Sequence, residues 1–170
     1  MVLNNYKRLA IAKQFYGSVS TFTLPNSVKT TDGTSVGTVY ANNDFLTFNG
    51  IYQNVQSQLN ATGIVFDLVI GKGGTAPSAS DYQLENELCD GISYVSQELK
   101  IEGNVVTITK KLKNATGGSI TVKEIGMKSG FYVDSSTIKP VLLTRDVLSS
   151  PLTVPDQKIF TVVATLTIQA

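Results

Sequence analysis

The run from Lys158 to Ile168, KIFTVVATLTI, places Phe160, Val162, Ala164, Leu166 and Ile168 on one side of an extended chain and Thr161, Thr165 and Thr167 on the other. A period of two fits a β-strand with one buried face, whereas a helix would scatter those apolar residues around its circumference. From Ser18 onward the chain keeps this texture: short runs rich in Thr, Val, Ile, Tyr and Phe, separated by Gly, Asn, Asp and Pro. SVSTFTL (18–24) ends at Pro25-Asn26, and Thr31-Asp32-Gly33-Thr34 supplies the Asp-Gly pair of a tight hairpin. GIVFDLVIG (63–71) is apolar on both faces, as a central strand requires. ISYVSQELKI (92–101) turns at Gly103-Asn104 into VVTITKKLK (105–113), where Val106, Ile108 and Leu112 share a face and Lys111 and Lys113 point the other way. SITVKEIGM (119–127) and VLLTRDVL (141–148) complete about nine or ten strand candidates, at a spacing typical of antiparallel sandwiches.

Two regions depart from this texture. Leu3, Tyr6, Leu9, Ala10, Lys13 and Phe15 are spaced more as on a helix, so residues 1–17 read as a short N-terminal helix or arm ahead of a β-domain over 18–170. Ala41 to Asn60 is rich in Asn and Gln and reads as a long loop or an edge strand. After GKGGTAPSAS (71–80), Asp81 is placed to cap a short helical turn over DYQLENEL. The expected fold is all-β: an antiparallel sandwich, jelly-roll-like or immunoglobulin-like, with a short N-terminal helix or arm.

At 170 residues the chain can bury one core without disulfides or metal. Fourteen Lys and Arg against thirteen Asp and Glu leave a net charge of +1, so no basic excess exists to neutralise a phosphate backbone, and nucleic acid is not an expected partner. No apolar stretch is long enough for a membrane helix, and the N-terminus carries Asn4, Asn5, Lys7 and Arg8 where a signal peptide would be apolar. The single cysteine, Cys89, reads as a small buried hydrophobe, with a reactive thiol as the alternative.

Histidine is absent, which removes the usual general base near neutral pH and the commonest metal ligand. Ser-His-Asp and Cys-His machinery cannot be built, and a carboxylate-pair hydrolase is the enzyme reading that the residues leave open. The scattered aspartates form no DxDxDG run for calcium. The loop Gly71-Lys72-Gly73-Gly74-Thr75 lacks the spacing of a phosphate loop and leads to Pro77 rather than a helix start. The chain is therefore expected to be non-enzymatic, with no cofactor and no metal.

Three segments, in order, carry a further signal: IGKGGTAPSASDYQL (70–84), VTITKKLKNATGGSITVKEIGM (106–127) and LLTRDVLSSPLTVPDQKIFTVVATLTI (142–168). A Gly-rich loop ending in Asp, a strand pair closing on Glu-Ile-Gly, and a Leu-Leu-x-Arg strand leading through Pro to a final alternating strand resemble a pattern of small bacteriophage virion proteins. The resemblance covers about 100 residues and leaves 1–62 unmatched. It implies a β-sandwich virion component, such as a capsid auxiliary or decoration protein, a head-fibre base, or a tail or neck appendage. Such a protein would be assembled in the host cytoplasm, multicopy or homo-oligomeric, with the major capsid, neck or tail proteins as partners.

Candidate site residues follow from phase and type. Glu124 alternates with Ile120 and Val122, so a regular strand would turn its carboxylate toward the core, where it needs a cation. Arg145 is in phase with Val141 and Leu143, and its planar fork suits a carboxylate, so a structural Glu124–Arg145 bridge between neighbouring strands is expected. Tyr6, Phe15 and Tyr16 are candidate anchors in a partner subunit, and Lys72 and Thr75 candidate contacts from a loop at the sandwich edge. The competing reading is a carbohydrate- or receptor-binding module using tyrosines, though such platforms favour Trp and this chain has none.

Overall fold

The computed structural model describes residues 21–40, 66–103, 105–132 and 138–167. Among them are eight strands: β1 (Thr21–Lys29), β2 (Ser35–Tyr40), β3 (Phe66–Gly71), β4 (Ile92–Glu102), β5 (Val105–Asn114), β6 (Ile120–Tyr132), β7 (Ile138–Val154) and β8 (Ile159–Thr167). They form three antiparallel sheets, β1-β2, β3-β6-β7 and β4-β5-β8. The protein is all-β, with no helix among the described residues. The expected N-terminal helix over 1–17 and the segment 41–60 lie outside them.

The two three-stranded sheets interlock along the chain. The β4–β5 hairpin lies in sequence between β3 and β6, which pair; the β6–β7 hairpin lies between β5 and β8, which also pair. Both sheets feed one buried cluster. Leu68 and Ile70 come from β3, Ile120, Val122 and Met127 from β6, and Val141, Leu143 and Val154 from β7, meeting Ile108 and Leu112 of β5 and Phe160 and Val162 of β8. Val28 of the β1–β2 hairpin joins them, and that hairpin is tied to β7 by Thr31 N donating to the Pro140 carbonyl.

Several sequence expectations are corrected. β1 runs through Pro25-Asn26, because an irregularity between Thr23 and Val28 absorbs the missing donor. β3 is at the margin of its described sheet rather than at its centre. It is apolar on both faces because Leu68 and Ile70 enter the main cluster while Val69 packs on Leu84 and Leu142 on the opposite face. The segment after Asp81 is an irregular loop, not a helical turn. β7 is longer than expected and contains Pro140 and Pro151, tolerated because β7 also lies at the margin of the described sheet, where some N–H positions need no ladder partner.

Turn chemistry agrees with residue type. Gly33 has φ +85°, and Asp32 accepts from Thr34 N at 2.9 Å, closing the β1–β2 turn. Gly103 (φ +58°) sits between Glu102 and its register partner Val105. Asn114, fully buried, organises the β5–β6 loop: its Nδ2 donates to the carbonyls of Gly118 (2.8 Å) and Val154 (3.0 Å), and its Oδ1 accepts from Thr116 N and Oγ1. An Asn114→Ala variant therefore strands buried acceptors, and urea denaturation should show a loss of about 1–3 kcal/mol. The same burial removes Asn114 as a glycosylation acceptor despite its Asn-Ala-Thr sequence.

Candidate functional site

The feature that gathers most polar chemistry lies on the face of the β3-β6-β7 sheet away from the main cluster, under the loop joining β3 to β4. A register shift in the β6–β7 ladder between Val122 and Glu124 sets it up. Ile120 and Val122 before the shift, and Ile125 and Met127 after it, all contribute to the main cluster, so the alternation changes phase at Lys123. Glu124 is thereby turned toward the loop. The expectation that it faces the core in phase with Val122 is corrected by this bulge, although the side chain is completely buried.

Glu124 accepts four hydrogen bonds there. Gly73 N (2.9 Å) and Asn86 N (2.9 Å) donate to Oε1, while Glu85 N (3.2 Å) and Arg145 Nε (2.8 Å) donate to Oε2. Arg145, only 3% exposed, uses the rest of its fork on the same loop: Nη1 to Asp81 Oδ2 at 2.7 Å, Nη2 to the Thr75 carbonyl at 3.2 Å and to Glu85 Oε2 at 3.4 Å. The loop is closed on itself by Thr75 N and Oγ1 donating to Glu85, both at 2.9 Å, and by Ser78 N donating to Asp81 at 3.0 Å. A desolvated ion pair of this kind is sustained only when its remaining donors and acceptors are met, as they are here.

The glycines make room for the carboxylate. A Cβ on Gly71 would fall 2.6 Å from the Asn86 carbonyl oxygen and 2.8 Å from Glu124 Cγ, and one on Gly73 would fall 2.6 Å from both Glu124 Oε1 and Glu85 Oε2. Gly73→Ala should therefore cost about 1–3 kcal/mol by overpacking. A lowered urea midpoint would show the cost, and an unchanged midpoint would mean that the loop does not hold Gly73 against Glu124.

Burial alone would push the Glu124 carboxyl up, but the Asn86 N–H, the Arg145 guanidinium and the N–H groups of Glu85 and Gly73 outweigh it and hold it below its ordinary value. Burial pushes Arg145 down, and its bonds to Asp81 and Glu124 more than compensate, so it stays charged. Thr75, through its backbone and hydroxyl, holds the exposed Glu85 low. Because Glu124 binds its proton less tightly folded than unfolded, its stabilising contribution is complete above about pH 5 and is lost as pH falls below the ordinary carboxyl range near about 4.3. Denaturation midpoints should be flat from about pH 7 to 5 and drop below about pH 4, and Glu124→Gln should flatten that acid limb.

On the solvent side the loop borders an open depression of about 400 Å³, lined by Ser78, Ser80, Asp81, Tyr82 and Gln83 with Arg145 at its floor. The ring of Tyr82 carries Lys29 Nζ at 4.0 Å from its centroid, linking the loop to β1. The chemistry this arrangement supports is holding: both oxygens of Glu124 and all three nitrogens of the Arg145 guanidinium are directed at groups of the same chain.

Of the residues singled out from sequence, the fold brings together Glu124, Arg145 and Thr75. Lys72 is exposed on the same loop. Tyr6, Phe15 and Tyr16 lie outside the described residues. Cys89 is exposed rather than buried, because it follows the loop's return past the edge of β3. Its thiol is pushed up by partial burial and by Glu87, to which Sγ donates at 3.5 Å. Sequence reasoning missed Asp81 and Glu85 as partners of Arg145, and it missed Lys110, a buried lysine contacting Asp67. Lys110 was findable, since it shares the phase of Ile108 and Leu112. Among the described residues no group of His, Cys, Asp and Glu is arranged to hold a metal ion. No family model, curated protein or solved structure matches this chain.

Proposed function

We propose that this chain is a non-catalytic structural component of a bacteriophage particle, a capsid auxiliary or decoration protein or another head-attached protein that acts by protein–protein assembly. In this reading the two three-stranded sheets form a β-sandwich of jelly-roll or immunoglobulin-like type. The observation that carries it is convergence. The Gly-rich loop ending in Asp81, the Glu-Ile-Gly motif at Glu124 and the Leu-Leu-x-Arg motif at Arg145, whose order resembles phage virion proteins, meet in one buried cluster. A motif set that is dispersed in sequence but joined in space behaves as one structural device, a clamp that fixes a surface loop.

The outer face of β5 and β8 supports the same reading. Its register pairs Thr107 with Thr165, Thr109 with Val163, Lys111 with Thr161 and Lys113 with Ile159, a threonine-rich surface on which Ile159 and Val163 are 59% and 56% exposed. Exposed apolar side chains among threonines suit burial against a neighbouring subunit, with Lys111 and Lys113 toward one end of the face. The depression beside Tyr82 favours a second reading, a carbohydrate- or receptor-binding module.

Native mass and co-sedimentation with phage particles, using the chain with and without residues 1–17, test the proposal, and a glycan array tests the second reading. The expected result is oligomers or particle-bound protein, lost on removal of 1–17. A monomer that ignores particles and binds glycans would overturn it.

A further inference from the structure

Lys110 stands where the strand pattern asks for an apolar side chain. It lies between Ile108 and Leu112 on the buried face of β5 and is only 8% exposed. Its Nζ crosses from the β4-β5-β8 sheet to β3 in the other sheet, where it contacts Asp67 Oδ1 and donates to the Leu68 carbonyl oxygen at 2.9 Å. Lys110, Asp67 and Leu68 line one cleft of about 160 Å³, together with the apolar Ile70, Ile92 and Leu112. Glu87, the other carboxylate there, is engaged by Lys128 Nζ, which leaves Asp67 as the carboxylate facing Lys110.

We propose that Lys110 and Asp67 become joined by an intramolecular isopeptide bond, formed by the folded chain itself, which cross-links the two three-stranded sheets. The hydrogen bonds suit the product as well as the ion pair: Nζ donates to the Leu68 carbonyl at 2.9 Å, and a secondary amide nitrogen keeps one N–H for that acceptor. The fold also holds nucleophile and electrophile in contact, replacing a bimolecular encounter with an intramolecular one. Lys110 is largely withdrawn from water, while the Asp67 side chain, 36% exposed, keeps a path to solvent by which the released water can leave.

The step balances without any other reactant. A proton passes from Nζ to the Asp67 carboxylate, giving a neutral amine and a carboxylic acid. The nitrogen lone pair adds to Asp67 Cγ and forms the C–N bond. A second proton moves from nitrogen to the hydroxyl oxygen, the C–O bond breaks, and one water leaves. Nothing is oxidised or reduced. The bond would close the chain between positions 67 and 110 and restrict the unfolded ensemble in the way a disulfide does, in a chain whose single cysteine cannot do so. The inference is independent of what the protein assembles with.

The test is denatured intact mass of the full chain, with tandem mass spectrometry of a tryptic digest. The expected mass is lower than that of the sequence by one water. Cleavage after Lys110 should be missing, and a branched peptide should join the segment containing Asp67 to the one containing Lys110. Lys110→Met and Asp67→Ala should each restore the full mass. Asp67→Asn, which keeps the shape of the side chain, should keep the cross-link but lose one ammonia in place of water. Wild-type protein of full sequence mass, cleaved normally after Lys110, would overturn the proposal and leave an ordinary ion pair.

Discussion

Replacing Arg145 with Ala should destabilise the protein by about 3–5 kcal/mol, because it leaves the fully buried Glu124 carboxylate without its counter-charge. Against a typical total of about 5–15 kcal/mol this is a large fraction, and urea denaturation should show it as a lower midpoint with little change in slope. The loss is not confined to one pair. Arg145 also holds Asp81, Glu85 and the Thr75 carbonyl, so the amides of Gly73, Thr75, Glu85 and Asn86 should exchange faster in the variant. Arg145→Lys should recover only part of the stability, since an ammonium cannot span acceptors set around a planar fork. Pairing Arg145→Met with Glu124→Gln should cost less than the sum of the two single changes, because the second removes the charge that the first leaves stranded. Additive losses would mean that the two groups do not act as a pair.

Ile108→Ala should cost about 2–5 kcal/mol, the range for deleting a large aliphatic side chain from a packed interior. Ile108 is fully buried on β5, the middle strand of its described sheet, within the cluster to which both three-stranded sheets contribute. Ile159→Ala removes the same atoms from the adjacent β8, but on the outer face, and should change the stability of the unassembled chain by less than about 0.5 kcal/mol. Comparable losses at both positions, together with a concentration-dependent midpoint, would mean that the outer face of β8 is already buried between copies in solution.

The strands were legible because period-two patterning is a local property. Phe160 and Val162 are buried and Thr161 and Thr165 exposed as the alternation requires, and Gly33 and Gly103 turn with the positive φ expected from Asp-Gly and Gly-Asn. The pairing of Glu124 with Arg145 was legible in outline, since a charge in an apolar phase demands a partner. Its setting was not. The phase change at Lys123 comes from a register shift between β6 and β7, which depends on how two strands match in length and carries no mark in either one. Asp81 reads from sequence as the cap of a short helical turn and Glu85 carries no signal, because their partner lies some 60 positions away. Cys89 looked buried from its residue type, but the path of the loop along β3 leaves it exposed.

The sequence by itself determined that the chain is built of strands, where most of them turn, and that histidine-based chemistry is closed to it, since these follow from side-chain spacing and from composition. Tertiary structure alone decided which strands share a sheet, which face of the β3-β6-β7 sheet carries the Glu124–Arg145 cluster, and that Lys110 of one sheet meets Asp67 of the other. Those outcomes rest on contacts between residues tens of positions apart, where the free energy belongs to the pair and neither residue shows it alone.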